Sequence, residues 1–145
     1  MLNMFSKIVV PYDNSELSKK ALDTAITLAK QDNSIKLDVI TVVNSNYTSY
    51  HYGVYAIDPI RKTQLEEANK MLKDVEQELS ELPNQTNTHL IEGSPGASII
   101  DFINETQADL VVMGSRGLSG LKEVFLGSVS HYVVQKSPCP VFIVK

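Results

Sequence analysis

Short apolar runs alternate with amphipathic stretches along the whole of this chain, and that alternation restricts its folding more than any other feature. Lys7 to Pro11, Lys36 to Val43, Leu110 to Met113 and Val141 to Val144 are short and rich in Val, Ile and Leu, and the more polar Asn87 to Ile91 reads as a further short strand. Strands apolar on both sides must be covered on both faces, and parallel neighbours need crossover connections, which the intervening helical patterns supply. The expectation is an α/β fold, a five-stranded parallel open sheet with helices on both faces. At 145 residues and 43% hydrophobic content, the chain can bury one substantial core as a single domain spanning residues 1–145.

The helical segments carry their own punctuation. Ser15 can cap a helix in which Leu17, Ala21, Leu22, Ala25, Leu28 and Ala29 recur with helical spacing until Asp32-Asn33. Asp58-Pro59 offers a cap and a first-position proline to a second helix. There Leu65, Ala68, Leu72, Val75, Leu79 and Leu82 form one apolar stripe before Pro83. Ser94-Pro95 opens a third helix with Ile99, Ile100 and Ile103, and Gly127 to Gln135 reads as the last.

Between the fourth apolar run and that last helix stands Gly114-Ser115-Arg116-Gly117, with Gly127-Ser128 further on. Strand, glycine loop and helix start in this order read as a phosphate cradle. Glycines at 114 and 117 permit positive φ and close approach to a ligand, and the first N–H groups of a helix favour an anion. A glycine-rich surface loop is the plainer alternative. Neither the Gly-x-x-x-x-Gly-Lys-Ser/Thr loop nor a Gly-x-Gly-x-x-Gly after the first strand is present.

The spacing Gly-x2-Gly-x9-Gly-Ser resembles the ATP-binding signature of the universal stress protein family. The similarity extends through Val112-Met113, Leu126, Val129 and Pro138-Cys139-Pro140-Val141, and through Ile8 to Ser15 at the first strand and turn. With right-handed crossovers, the resemblance implies strand order 3-2-1-4-5, a Rossmann-like sheet of the adenine nucleotide alpha hydrolase type. Its topological switch lies between strands 1 and 4, where Asp13 and Gly114 would meet. The resemblance further implies that Pro11, Asp13, Val42, Met113, Gly114, Gly117, Gly127, Ser128, Val129 and Ser130 line the nucleotide. Arg116 stands where family members often carry His and can pair with phosphate or point into solvent.

The chemistry of these residues suits that role. The backbone of Val42 can hydrogen-bond an adenine edge, with the Pro11 and Val42 side chains as an apolar slot. The Ser128 and Ser130 hydroxyls can donate to phosphate oxygens, although Ser128 can equally be an ordinary N-cap. Asp13 has three readings: an acid at a turn or helix start, a contact to the nucleoside, or a carboxylate reaching Mg²⁺ through water. The cofactors expected are therefore ATP and Mg²⁺.

A net charge of −4 and the lack of any basic block argue against a nucleic-acid partner. No secretory signal and no apolar run approaching about 20 residues is visible, so neither membrane insertion nor export is expected, and the cytoplasm is the expected compartment. Cys139 reads as a small packed residue. His89 and His131 lack a carboxylate or cysteine at ligand spacing. The loop Asn44 to Asp58, with Tyr47, Tyr50, His51, Tyr52 and Tyr55, suits a flap, a partner surface or a self-packed loop. The function implied is that of a nucleotide-dependent regulatory module of the stress response with an unidentified protein partner. A slow ATPase or nucleotidyl transferase is the alternative, and a nucleotide-free interaction protein is a third. The apolar strand Val141 to Val144, at a sheet edge, points to a homodimer.

Overall fold

The computed structural model describes residues 4–44, 54–118 and 126–145. Strand β1 (Lys7–Pro11) leads into helix α1 (Glu16–Ala29), followed by β2 (Lys36–Val43) and α2 (Val54–Leu79). Then come β3 (Thr86–Glu92), α3 (Pro95–Thr106), β4 (Leu110–Gly114), α4 (Ser128–Lys136) and β5 (Val141–Val144). The five strands form one parallel sheet in the order β3-β2-β1-β4-β5, as the alternation and the resemblance predict.

Alternate residues of each strand serve opposite cores, because successive side chains leave a strand on opposite faces. Ile8, Val10, Leu37, Val39, Leu110 and Val112 pack against Ala21, Leu22 and Ala25 of α1 and Leu72, Val75 and Leu79 of α2. On the other face, Val9, Ile40, Val111 and Met113 meet Ile99, Phe102 and Ile103 of α3 and Val133 of α4. The stripe read along α2 is therefore its sheet-facing side, with Ala68, Leu72, Val75 and Leu79 buried.

Polar side chains fix the connections. Ser15 Oγ accepts the Ser18 N–H at 3.2 Å, so the predicted cap of α1 is formed. Buried Asn84 turns its amide nitrogen to the carbonyls of Ala29, Asp32 and Ile35, each at 2.9 Å, and ties the exit of α1 to the entry of β3. Gln107 closes α3 in the left-handed conformation, with φ 54°. Asp109 Oδ2 accepts from Ser6 N–H at 2.8 Å, Ser6 Oγ at 2.7 Å and Lys7 N–H at 2.8 Å, which joins the start of β1 to the start of β4.

One boundary differs from the sequence reading. Helix α2 begins at Val54, ahead of the predicted Asp58-Pro59 start, and Pro59 lies inside it. At the sixth helical position, proline removes the N–H that would bond the carbonyl of residue 55 and crowds the turn before it, so the loss is confined to the first turns of the helix. Tyr55 thus belongs to the helix, while Tyr47, Tyr50, His51 and Tyr52 lie outside the described residues.

Candidate functional site

Where β1 and β4 part company, their C-terminal ends open into a cavity of about 470 Å³. This is the topological switch of the sheet, where loops leaving adjacent strands turn to opposite faces and leave a crevice. Pro11 and Asp13 come from the end of β1, Val42 from β2, Met113 and Gly114 from β4, and Arg116 and Gly117 from the loop that follows it. Gly127, Ser128, Val129 and Ser130 complete the wall from the start of α4. All of the sequence-predicted residues therefore line one cavity, although they are drawn from four separate segments.

The structure adds lining residues that no motif marks. Pro95 and Ile99 enter from the first turns of α3, and Ile40 lies on the same sheet face as Val42. Only the crossover placing α3 over that face brings them in, although the two-residue spacing of Ile40 and Val42 offers a signal for the former. Tyr12, Ser15, Ser18 and Leu118 also line the cavity.

At one end the cavity meets unpaired backbone. Tyr12 N–H donates to Ile40 O at 2.8 Å beyond the last β1–β2 register pair, and Gly93 N–H donates to Val43 O at 2.9 Å on the β3 side. Strand backbone groups alternate in direction, so Val42 turns its N–H and C=O toward the β1 side, past that strand's end. Buried Thr41 anchors this corner by donating its hydroxyl to Tyr12 O at 2.8 Å. Burial, together with nearby carboxylates including Glu78 and Asp13, raises the Tyr12 phenol above its ordinary pKa, and its hydroxyl is 3.2 Å from Asn14 Oδ1. It stays neutral near pH 7.

At the other end lies the start of α4. Gly127 is the N-cap and its N–H donates to Ser115 O at 2.6 Å. The first bond of the helix runs from His131 N–H to Gly127 O at 2.9 Å, which leaves the N–H groups of Ser128, Val129 and Ser130 without intrahelical partners. Ser128 is the first helical residue and exposed, so it is not the N-cap. The buried Ser130 hydroxyl donates to Ser115 O at 2.7 Å and approaches Gly127 O at 3.1 Å. That hydroxyl holds the loop, where the sequence reading has it donating to phosphate.

The glycines are explained by crowding. Among the described glycines, positive φ occurs at Gly93 and not at Gly114 or Gly117, contrary to the sequence reading. A Cβ on Gly114 would sit 2.8 Å from Leu17 Cβ and 3.0 Å from Leu17 C, so this glycine lets α1 cross the end of β4 closely. A Cβ on Gly117 would collide with Asp13 Oδ2. Gly127 has 3.2 Å to the Arg116 Cα, a tight fit for any side chain.

Asp13 joins the two loops. Its Oδ1 accepts the Ser15 N–H at 3.0 Å and its Oδ2 the Leu118 N–H at 3.1 Å. The turn reading of Asp13 is therefore met, and the residue also lines the cavity. Arg116 is half-buried and is the one cation among the described residues lining the cavity. No cluster of three or more His, Cys, Asp or Glu suited to a metal occurs among the described residues. No described helix is long and apolar enough to cross a membrane. His89, which has no carboxylate at ligand spacing in the sequence, has Asp38 Oδ1 2.9 Å from its Nε2, because the β2–β3 register pairs it with Ile40, two residues along the same face of β2 from Asp38.

The model of the universal stress protein family matches residues 4–145 of this sequence. The chain belongs to that family. It is 40% identical over 149 residues to universal stress protein YxiE of Bacillus subtilis, with 98% of this chain and 100% of the relative covered. Its fold is that of universal stress protein UspA from Lactobacillus plantarum, with a TM-score of 0.89 at 22% identity, covering 97% of this chain and 98% of the other. A universal stress protein solved in complex with cAMP aligns with a TM-score of 0.60 and 30% identity, covering 97% of this chain and 96% of that one. In this universal stress protein, the glycine spacing that marks the resemblance also lets Leu17, Asp13 and Arg116 crowd the loop backbone.

Proposed function

We propose that the cavity binds an adenine nucleotide, ATP together with Mg²⁺, and that the protein acts as a nucleotide-dependent regulatory module of the stress response. The observation that carries this reading is the outward turn of the Val42 N–H and C=O at the end of the cavity opposite the α4 N-terminus. An adjacent acceptor and donor match the exocyclic amine and neighbouring ring nitrogen of adenine, whereas guanine would set its carbonyl oxygen against Val42 C=O. Pro11, Ile40 and Val42 supply apolar walls for the ring, and the free N–H groups of Ser128 to Ser130 suit phosphates. The related protein solved with cAMP supports the same ligand class.

Asp13 fits Mg²⁺ in an outer role. Both of its oxygens already accept backbone N–H groups, so it reaches the ion best through water, while the phosphates supply the inner oxygens. Turnover is expected to be slow. Phosphoryl transfer needs a positioned base and paired cations, and Arg116 is the one lining cation among the described residues. The protein is expected to be a homodimer through β5, whose Phe142 is 47% exposed.

Titration calorimetry tests the nucleotide reading. ATP with Mg²⁺ is expected to bind at micromolar strength, about −8 kcal/mol, and GTP at least about tenfold more weakly. Gly127→Val, which crowds the Arg116 backbone, is expected to abolish binding while circular dichroism shows a folded protein. ATP binding to that folded variant at parental strength would overturn the assignment, as would parental turnover at roughly 1 per second or faster, a rate typical of enzymes.

A further inference from the structure

Strand β3 is the outer strand of the sheet opposite β5, and no strand among the described residues pairs with its outer side. Leu37 N–H donates to Gln85 O and Gly93 N–H to Val43 O, at 3.0 and 2.9 Å, which fixes the odd-numbered residues of β3 as those bonded to β2. The backbone groups of Thr86, Thr88, Leu90 and Glu92 therefore face outward, and none has a backbone partner among the described residues. Sheet edges are ordinarily blunted by lysine, proline or a bulge. Strand β3 has no Lys, Arg or Pro, and its register with β2 runs unbroken from Thr86 to Glu92.

Beside this edge runs a groove of about 610 Å³ between β3 and α3. On its α3 side, Ser98, Asp101, Phe102 and Glu105 fall three and four apart and so share one helix face. The His89 ring lies 4.8 Å from the Phe102 ring, while its Nε2 meets Asp38. The ionisable groups lining the groove are His89, Glu92, Asp101 and Glu105, with neither Lys nor Arg among them. Glu92 is held by Arg61 of α2 through hydrogen bonds of 3.0 and 2.8 Å, whereas Asp101 and Glu105 are exposed.

We propose that the free edge of β3 is a docking site for an extended basic peptide segment of a partner protein. The segment adds to the sheet as a sixth strand through the outward backbone groups of Thr88 and Leu90. Every second side chain of such a strand falls on the α3 side, where Lys or Arg meets Asp101 and Glu105. The intervening side chains fall on the α2 side next to Leu90, which packs against the core there, and are best apolar. Charge selects this occupant over a second copy of the chain, because edge-to-edge pairing of two β3 strands would bring the two sets of carboxylates together.

The test uses the full chain and a capped hexapeptide, Lys-Val-Lys-Val-Lys-Val, with Glu-Val-Glu-Val-Glu-Val as its counterpart. Amide hydrogen exchange is expected to slow at Thr88 and Leu90 with the lysine peptide alone, while His89 and Ile91, already bonded to β2, stay unchanged. The charge reversal Asp101→Lys with Glu105→Lys alters two exposed side chains and leaves the core intact. It is expected to weaken the lysine peptide by roughly tenfold and to favour the glutamate peptide. The proposal is overturned by unchanged exchange at Thr88 and Leu90 under millimolar peptide, by equal effects of the two peptides, or by affinity indifferent to the reversal. Protection that grows with protein concentration in the absence of peptide would also overturn it, by making a second copy the occupant.

Discussion

The Asp13 carboxylate occupies the space that a side chain on Gly117 would need, although the two residues lie on loops leaving different strands. Asp13 Oδ2 accepts the Leu118 N–H from 105 residues away, so the carboxylate sets how closely the β4 loop approaches β1. Gly117→Ala is expected to displace that carboxylate and weaken ATP by about tenfold or more, equivalent to about 1.4 kcal/mol. In the double variant with Asp13→Ala the collision is gone, so the two effects should fall short of additivity by about 0.5–3 kcal/mol. Calorimetry on the four proteins checks this, and strict additivity would show that the contact does not govern the site.

Ser128 and Ser130 are two residues apart and should respond oppositely. Ser130→Ala removes a buried hydroxyl bonded to Ser115 O and is expected to cost about 1–2 kcal/mol of stability in denaturant unfolding. Ser128→Ala alters an exposed position and should leave the melting curve unchanged while weakening ATP by about 1.5–3 kcal/mol, one charged hydrogen bond.

Stability is expected to decline in acid partly through Asp109. Burial alone would raise its pKa, but the hydrogen bonds from Ser6 and Lys7 and the nearby Lys7 charge outweigh burial and hold it below the usual carboxylate value. A lowered folded pKa means that the unfolded chain takes up the proton first as pH falls. The contribution is therefore full above about pH 4, the ordinary aspartate range, and is lost as pH drops through the folded value. Asp109→Ala should be less stable than the parent by about 1–3 kcal/mol at pH 7, with the gap narrowing below about pH 4 in urea titrations. A gap independent of pH would exclude this role.

Sedimentation checks the proposed β5 dimer. Phe142 is 47% exposed on a four-residue edge strand, and Phe142→Asp would set two like charges close together across a two-fold contact. The parent is expected to sediment as a dimer at tens of micromolar and the variant as a monomer, both folded. A monomeric parent would remove β5 as the interface.

Much of this molecule is determined by patterns that live within a few residues of sequence. Apolar runs separated by helical spacing specify the parallel sheet, because a strand buried on both faces and a helix with one apolar stripe have few ways to cover each other. Ser15 caps α1 through a contact three residues away, and the glycine loop before α4 announces the crevice. The tertiary structure alone decided what those glycines do. Gly117 is needed because Asp13 arrives from β1, and Gly114 because α1 crosses β4 at Leu17, whereas the sequence suggested a left-handed backbone at both. The Ser130 bond to Ser115, the Asp38–His89 pair and the entry of Ile99 into the cavity have the same origin. Periodicity and spacing report which face of an element is apolar, but these contacts depend on strand register and on which helix a crossover lays over which face. Those are set only when the two cores on either side of the sheet close together.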